Sequence, residues 1–424
     1  LRVALVERGG LGGTCLHRGC VPSRALLASA ELYRRIRSAE VYGVTVRDAF
    51  ADFGRMVARK NAVVGGIASN LERSLRQSGV SVLTGDGVLL NAEPPFRTRI
   101  GGEVVTARAV VLATGSESAA PDVFGVDGER VVTSTEALNW ESLPGSVLVV
   151  GGGVIGCEFV CLFRAFDVSV TVVEALPRIL ATEDIAVSRQ MATLLKRDGV
   201  DLRTGTKVTA LDKTSEGVRA TLSSGDVVSA ERALIAVGRR RNGVGFDALG
   251  IRVERGKVVV NERMETTVPG VYAVGDVASD VLLAHWASAQ GEVAGRNVLG
   301  DGASFDGRAI PACIYTSPEI GRVGWTEDGA KGAGFAVVTA RLPFGANARA
   351  QCLGEISGFV KVVADKASRR ILGVHILGPD ATEIVHAAVV ALRAGMTVED
   401  YCAVVHAHPT YSESLREAMT LFAR

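Results

Sequence analysis

The sequence has no surplus of either charge: 47 Lys and Arg stand against 46 Asp and Glu, for a formal net charge of +1. The basic excess that would point to a nucleic-acid backbone is missing, and so is the acidic excess of a disordered solubilising chain. No uninterrupted apolar run reaches the roughly 18 residues that a membrane-spanning helix needs. No signal-peptide pattern opens the chain, and seven cysteines in 424 residues are too few for a secreted disulfide scaffold. These absences lead us to expect a cytoplasmic protein in a reducing compartment, with neither nucleic acid nor membrane as a partner. Any disulfide in it would then be catalytic. Spacing of the CxxC type with a second Cys/His pair is also absent, so no metal site is expected.

What is present is a globular mixture, 47% hydrophobic and 22% charged, long enough for two to four domains. The 49 glycines exceed the roughly 7% norm. Part of the excess falls in tight clusters, as nucleotide-binding loops require. Residues 2–7 read as a strand ending in Glu7, followed by the loop Gly9-Gly-Leu-Gly-Gly13 and a helix over 22–37, with Leu26, Ala30 and Tyr33 on one face. Residues 109–115 read as a buried strand running into a turn of small residues. Leu143-Pro-Gly145 marks a boundary. A complete βαβ unit follows: strand 147–150, turn 151–156, helix 155–166 and strand 168–173, with a further helix over 184–198. Residues 232–238 repeat the strand-to-glycine pattern, and 271–276 form another buried strand with an acid at its carboxyl end. After about residue 308, alternating stretches at 358–363 and 370–376 predict antiparallel strands, and 381–393 a helix. The first 300 residues are α/β and the rest α+β.

Gly151-x-Gly153-x-x-Gly156 follows a strand, opens a helix, and has Glu174 18 residues after its last glycine. That is the context a dinucleotide fingerprint requires. The first glycine permits the turn, the second lets backbone approach a pyrophosphate, and the third lets helix and strand pack. Glu174 suits the adenosine ribose hydroxyls and repels a 2′-phosphate, so NAD is preferred to NADP. The plain alternative is a glycine-rich turn with no ligand. Glu7 resembles the equivalent acid of another such unit, whose turn belongs about 20 residues earlier. The expectation is that the first strand, glycine turn and helix of that unit lie outside this chain. Otherwise Glu7 is a surface acid after an ordinary strand.

Cys15 and Cys20 form a CxxxxC sequence just ahead of a helix. Two thiols so spaced can close a small disulfide ring, and Cys20 falls where a helix dipole favours thiolate. Two structural thiols are the alternative. Cys157 and Cys161, four apart on the fingerprint helix, suggest packing. Cys313, Cys352 and Cys402 show no partner pattern and are expected in the core. Near the carboxyl end, His406-Ala-His408-Pro-Thr-Tyr-Ser-Glu413 places histidines beside a carboxylate that could orient one of them as a general base. Two solvent-facing histidines in a loop are the alternative. His17, His285, His375 and His386 are scattered.

Taken together, Gly12-Gly-Thr-Cys15-x4-Cys20-Val-Pro-Ser23, the fingerprint with Glu158, Val274-Gly-Asp276 and His408-Pro-Thr-x-Ser-Glu413 resemble the pyridine nucleotide–disulfide oxidoreductases over essentially the whole chain. Within that family the similarity is greatest to members that oxidise dihydrolipoamide. The resemblance implies two Rossmann-like dinucleotide-binding domains, the first truncated, and a C-terminal α+β dimerisation domain. The boundaries are 1–144 for FAD, 145–243 for NAD, 244–308 completing the FAD domain, and 309–424 for dimerisation. FAD and NAD are the implied cofactors, and a homodimer acting on a lipoyl group, free or carried on a 2-oxo acid dehydrogenase complex, is the implied assembly. Cys15 would exchange with substrate and Cys20 would contact the flavin. His408, oriented by Glu413, would deprotonate dihydrolipoamide at the partner subunit's disulfide. Glu7, Thr14, Gly87, Thr114, Gly115, Asp276 and Ala284 match FAD positions, while Gly151, Gly153, Gly156, Glu174, Val208 and Gly238 match NAD positions. With the pyrophosphate loop outside the chain, weakened FAD binding is expected.

Two departures stand out. Arg24 replaces the lysine that in the family pairs with the acid matching Glu158 beside the flavin. A retained ion pair with altered flavin tuning is expected, because a guanidinium fork is not interchangeable with an ammonium. Arg239-Arg-Arg241 replaces a pattern ending in proline and reads as a solvated basic turn. A glutathione-reductase-like enzyme would favour NADPH, against Glu174. A mercuric reductase would end in a cysteine pair, and this chain ends Leu421-Phe-Ala-Arg424. A redox-inactive binding component remains as a different class of reading.

Overall fold

The computed structural model describes residues 1–423. It separates into two compact units, Leu1–Pro121 with Val132–Leu143 and Gly238–Asp306, and Asp122–Val131 with Pro144–Val237 and the chain from Gly307 on.

In the first unit two short parallel pairs set the frame: Val3–Glu7 beside Val80–Thr84, and Val110–Leu112 beside Val271–Ala273. Residues that a ligand could use follow directly from three of these strands: Glu7, Thr114 with Gly115, and Asp276. The carboxyl ends of parallel strands are where open α/β sheets bind ligands. Phe96, Leu112, Val258 and Val271 close the core beneath. The segment expected as a loop before a helix is itself helical. Gly13–Arg18 and Cys20–Arg37 are two helices broken only at Gly19, so the second begins two residues earlier than the sequence predicts. Leu26 and Ala30 are buried as their spacing requires. The 25-residue helix Phe53–Gln77 and the antiparallel sheet Gly87–Leu89, Phe96–Ile100, Glu103–Ala107 are absent from the sequence reading. The helix had a visible start, Asp52, whose side chain accepts from the Arg55 N–H at 2.9 Å. Its Gly65-Gly66 pair weakens the helical signal in the middle.

In the second unit the strands Asp201–Thr204, Ser169–Glu174, Ser146–Val150 and Arg232–Ile235 run parallel in that spatial order. The helices Val154–Arg164 and Ile185–Arg197 alternate with them, so the βαβ reading holds. An antiparallel meander over Val208–Lys213, Val218–Leu222 and Val227–Ala230 was not anticipated. The chain then builds a five-stranded antiparallel sheet from Ala312–Ile314, Glu319–Gly324, Ile371–Gly378, Phe359–Asp365 and Val337–Pro343. The helices Ala381–Arg393 and Glu413–Thr420 contribute to its core, including Val385, Ala388, Leu415 and Met419.

A buried ion network lies in this unit. Lys361 Nζ donates to both carboxylate oxygens of Asp184, at 3.0 and 2.9 Å, and to Glu327 Oε2 at 2.7 Å. Arg322 pairs with Glu183 at 2.8 Å. Burial would raise Asp184, but the Lys361 ammonium and the Ala186 N–H outweigh it and hold the carboxyl low. Beside them His375, one of the scattered histidines, is fully buried and donates from Nε2 to the Trp325 carbonyl at 2.9 Å. Its desolvation lowers its pKa despite the nearby carboxylates of Asp184 and Glu183. The unfolded chain therefore takes up this proton first as pH falls, and folding stability is lost progressively below about 6.5. Thermal unfolding at pH 7.5 and 5.5 should show this fall in wild type and a shallower one in His375→Gln. An unchanged slope would remove His375 as its source.

Candidate redox site

Gly19 splits what would otherwise be one continuous helix, and the break brings Cys15 of the first helix against Cys20, the first residue of the second. Both are thiols here and half-buried. The Cys15 sulfur is hydrogen-bonded with the Cys20 side chain and also receives the Cys20 backbone N–H. The Cys20 contact and burial push the Cys15 thiol up. Cys20 sits in the first turn of an 18-residue helix, where a thiolate gains from the unpaired N–H groups. Arg24, one turn on, donates to Ser23 Oγ at 2.7 Å. Thr14 lies between Gly13 and Cys15 in the first helix.

The other matched positions of this unit lie at strand ends. Glu7 Oε1 accepts from the Gly9 N–H at 2.7 Å. Gly87 opens a short strand in which a side chain would press on Val6. Thr114 Oγ1 donates to the Asn242 carbonyl at 2.8 Å, and the Asn242 N–H returns to the Gly115 carbonyl at 3.0 Å. Asp276 stands in the 3-10 turn Gly275–Val277. Ala284 begins the helix Ala284–Val298, whose first amides have no side-chain cap. An acid that can accept from ribose hydroxyls at one strand end, an open glycine turn at a second and uncapped amides that can donate to phosphate near a third form a set suited to a nucleotide.

The Arg239–Arg241 expectation is overturned. These residues form a strand antiparallel to Ser116–Ser118. Arg239 is mostly buried and donates from Nε to Ser116 Oγ and from Nη2 to the Ser116 carbonyl, both at 2.7 Å. Ser116 Oγ in turn donates to Asp276 Oδ2, and Arg239 stands 3.7 Å from that carboxylate. Arg241 pairs with Asp280 at 2.9 Å, and only Arg240 is fully exposed. The alternation of a strand, invisible in three identical residues, puts the first and third inward. The expectation for the unpaired cysteines is corrected as well: Cys157 and Cys161 are buried, but Cys352 is exposed and Cys313 and Cys402 are only half-buried.

In the second unit the fingerprint has three distinct environments. A side chain at Gly151 (φ +106°) would strike the Ala236 carbonyl, and one at Gly156 would strike the Gly151 carbonyl, so both glycines serve close packing. Gly153 faces open space and heads the helix Val154–Arg164 without a side-chain cap. That leaves room for a phosphate at the helix start. Glu174 ends its strand with Oε2 on the Gly152 N–H at 2.6 Å and Oε1 on the Leu176 N–H at 2.7 Å. Val208 opens the first strand of the meander, while Gly238 directly precedes the arginine strand of the first unit. Glu158 is buried in the fingerprint helix and accepts from the Tyr315 N–H at 2.9 Å.

The geometry separates the two histidines near the carboxyl end. His406 meets the Val404 carbonyl through Nδ1 at 3.1 Å, so that nitrogen carries the proton. Its Nε2 then accepts from Tyr401 Oη at 3.2 Å, and both nitrogens are occupied. His408 donates from Nδ1 to Glu413 Oε2 at 3.0 Å, and Glu413 Oε1 accepts from the Thr410 N–H at 3.0 Å. Neutral His408 therefore carries its lone pair on Nε2. Its side chain is 70% exposed while that of Glu413 is 11% exposed, so an outward imidazole rests on a buried carboxylate, an arrangement that can serve a general base. Asn347, which the sequence reading missed, is buried and holds this turn. A polar residue between two short elements carries no periodic signal.

The profile of the pyridine nucleotide-disulphide oxidoreductases matches residues 1–291, and that of their dimerisation domain matches 310–419. The chain is 40% identical to the dihydrolipoyl dehydrogenase of Bacillus subtilis over 99% of this chain and 92% of that protein. The crystal structure of LpdA from Mycobacterium tuberculosis superposes with a TM-score of 0.93 at 28% identity, covering 99% of this chain and 94% of that one. The HOCl-induced flavoprotein disulfide reductase RclA from Escherichia coli gives 0.88 at 27% identity, with 99% and 94% coverage. The chain belongs to the pyridine nucleotide-disulphide oxidoreductase family. FAD and NAD are its cofactors.

Proposed function

We propose that this chain oxidises a dihydrolipoyl group to the lipoyl disulfide with NAD+, as an FAD-dependent homodimer in the cytoplasm. The observation that carries the reading is the Cys15–Cys20 sulfur contact at a helix start. The name of the B. subtilis relative supports the substrate. We assign residues 1–144 and 244–308 to FAD binding, 145–243 to NAD binding and 309–424 to dimerisation. Glu7, Thr14, Gly87, Thr114, Gly115, Asp276 and Ala284 would hold FAD, with Arg24 and Glu158 beside the flavin. Gly151, Gly153, Gly156, Glu174, Val208 and Gly238 would hold NAD.

In the oxidised enzyme Cys15 and Cys20 form the disulfide. The partner subunit's His408 takes a proton on Nε2 from one substrate thiol, with Glu413 keeping the ring in the required tautomer. The resulting thiolate attacks Cys15 Sγ, the Cys15–Cys20 bond breaks, and Cys20 leaves as thiolate. The second substrate thiol attacks the substrate sulfur bound to Cys15, and its proton goes to Cys15, which departs as a thiol. The lipoyl disulfide departs, leaving two electrons on the cysteine pair. Bound FAD supplies the two-electron path from this pair to NAD+. A glutathione-type, NADPH-linked reading is disfavoured by Glu174, whose carboxylate would meet the 2′-phosphate.

Following absorbance at 340 nm with dihydrolipoamide and NAD+, with and without added FAD, tests the proposal. Flavin-loaded protein that forms no NADH would refute it. Measuring the bound flavin's reduction potential in wild type and Arg24→Lys tests the tuning assigned to Arg24. The two values should differ, and equal values would show that the guanidinium has no influence there.

A further inference from the structure

We infer that Asn347 is a positioning residue for the His408–Glu413 pair, an inference that rests on the acid–base role proposed above. The residues on either side of His408, Ala407 and Pro409, are exposed, as is Val405 at 92%. What orients the pair comes from Thr410. Its N–H goes to Glu413 Oε1, and its hydroxyl donates to the Ala407 carbonyl at 2.8 Å. The carbonyl of the same residue accepts from Asn347 Nδ2 at 2.9 Å.

Asn347 is only 1% exposed, and its amide has one consistent orientation. Its Oδ1 accepts from the Ala350 N–H at 2.9 Å, capping the short helix Ala348–Leu353, which leaves the NH2 group for Thr410. The backbone of Asn347 is fixed as well, with its N–H on the Phe344 carbonyl at 2.9 Å. A second anchor lies one residue beyond Thr410. The Tyr411 ring stands edge-on to Phe344 at 6.1 Å, and its hydroxyl donates to Glu355 Oε2. Residues 344–355 thus hold Thr410 and Tyr411 from both ends, just ahead of Glu413. The Thr410 carbonyl and the Thr410 N–H belong to adjacent peptide units joined at its Cα, so without the Asn347 donor the turn that presents the N–H to Glu413 is less fixed, and with it the His408 ring orientation. The cost falls on proton transfer at Nε2 and leaves the first unit untouched.

Asn347→Ser separates this from general damage. Serine caps a helix about as well as asparagine, but its hydroxyl is too short to reach Thr410. Dihydrolipoamide turnover should fall roughly 10- to 100-fold, with the limb of its pH–rate profile that reports the base displaced. NADH oxidation by ferricyanide, which bypasses the sulfur pair and His408, should stay within about twofold of wild type. Parallel loss of both activities, or an unmoved pH limb, would overturn the inference. NMR titration of His408 in wild type and Asn347→Ser needs no substrate. A shifted midpoint supports the positioning role even if dihydrolipoamide proves not to be the substrate, and an unchanged midpoint overturns it. Asn347→Asp, which keeps the cap and loses the donor, should behave as Asn347→Ser does. Wild-type turnover in Asn347→Asp would contradict the role of the donor.

Discussion

Cys15→Ser is expected to abolish oxidation of the dihydrolipoyl group, a fall of at least about 1000-fold, while leaving NAD+ affinity and NADH-to-ferricyanide turnover near wild type. A serine oxygen can neither form the disulfide nor accept the substrate thiolate, so no electron pair enters through sulfur. Cys20→Ser should be equally inactive toward dithiol, because the pair works only as a pair. The two variants should still differ. With Cys15 intact and Cys20 removed, the remaining thiol loses the neighbour that pushes its pKa up. It should therefore ionise at lower pH than it does in the reduced pair. Alkylation rate against pH in Cys20→Ser measures this directly. A Cys15 that still resists alkylation at alkaline pH would show that burial, not the second sulfur, dominates its titration.

The second large effect concerns the base. His408→Gln should lower dihydrolipoyl turnover by about 100- to 10,000-fold, and His406→Gln far less. The distinction rests on occupied nitrogens. His406 has Tyr401 and the Val404 carbonyl on its two nitrogens, whereas His408 has only Glu413 and an open Nε2. Glu413→Gln keeps a side chain of the same shape but removes the charge that stabilises the imidazolium formed on proton uptake. Its loss should be smaller than that of His408→Gln. Steady-state kcat and kcat/KM for the three variants across pH 6 to 9 test the assignment. Equal losses in His406→Gln and His408→Gln would show that the pair acts as a structural unit rather than through one base.

Much of this was readable from residue order, and the reason is locality. The βαβ fingerprint is a local device: strand, turn, helix and terminal acid within about thirty residues, each visible by type and spacing. The helix at 381–393 and the strands at 359–365 and 371–378 follow from periodicity within a single element. Cys15, Cys20, His408 and Glu413 were legible because their chemistry is rare and their partners lie five residues away.

Contacts distant in sequence were not legible. Three consecutive arginines look like a solvated turn until strand pairing with Ser116–Ser118, more than a hundred residues away, turns Arg239 toward Asp276. His375 looked scattered until the antiparallel sheet buried it beside Asp184 and Lys361. Asn347 gave no signal at all, because its worth lies in a carbonyl 63 positions further on. Residue order by itself determined which groups are proposed to carry the redox and proton chemistry, since that proposal depends on side-chain identity and short spacing. Tertiary structure alone decided which histidine has an open nitrogen, which cysteine sulfur receives the other's N–H and which buried amide reaches the turn ahead of Glu413, because each depends on neighbours brought together only when the chain folds.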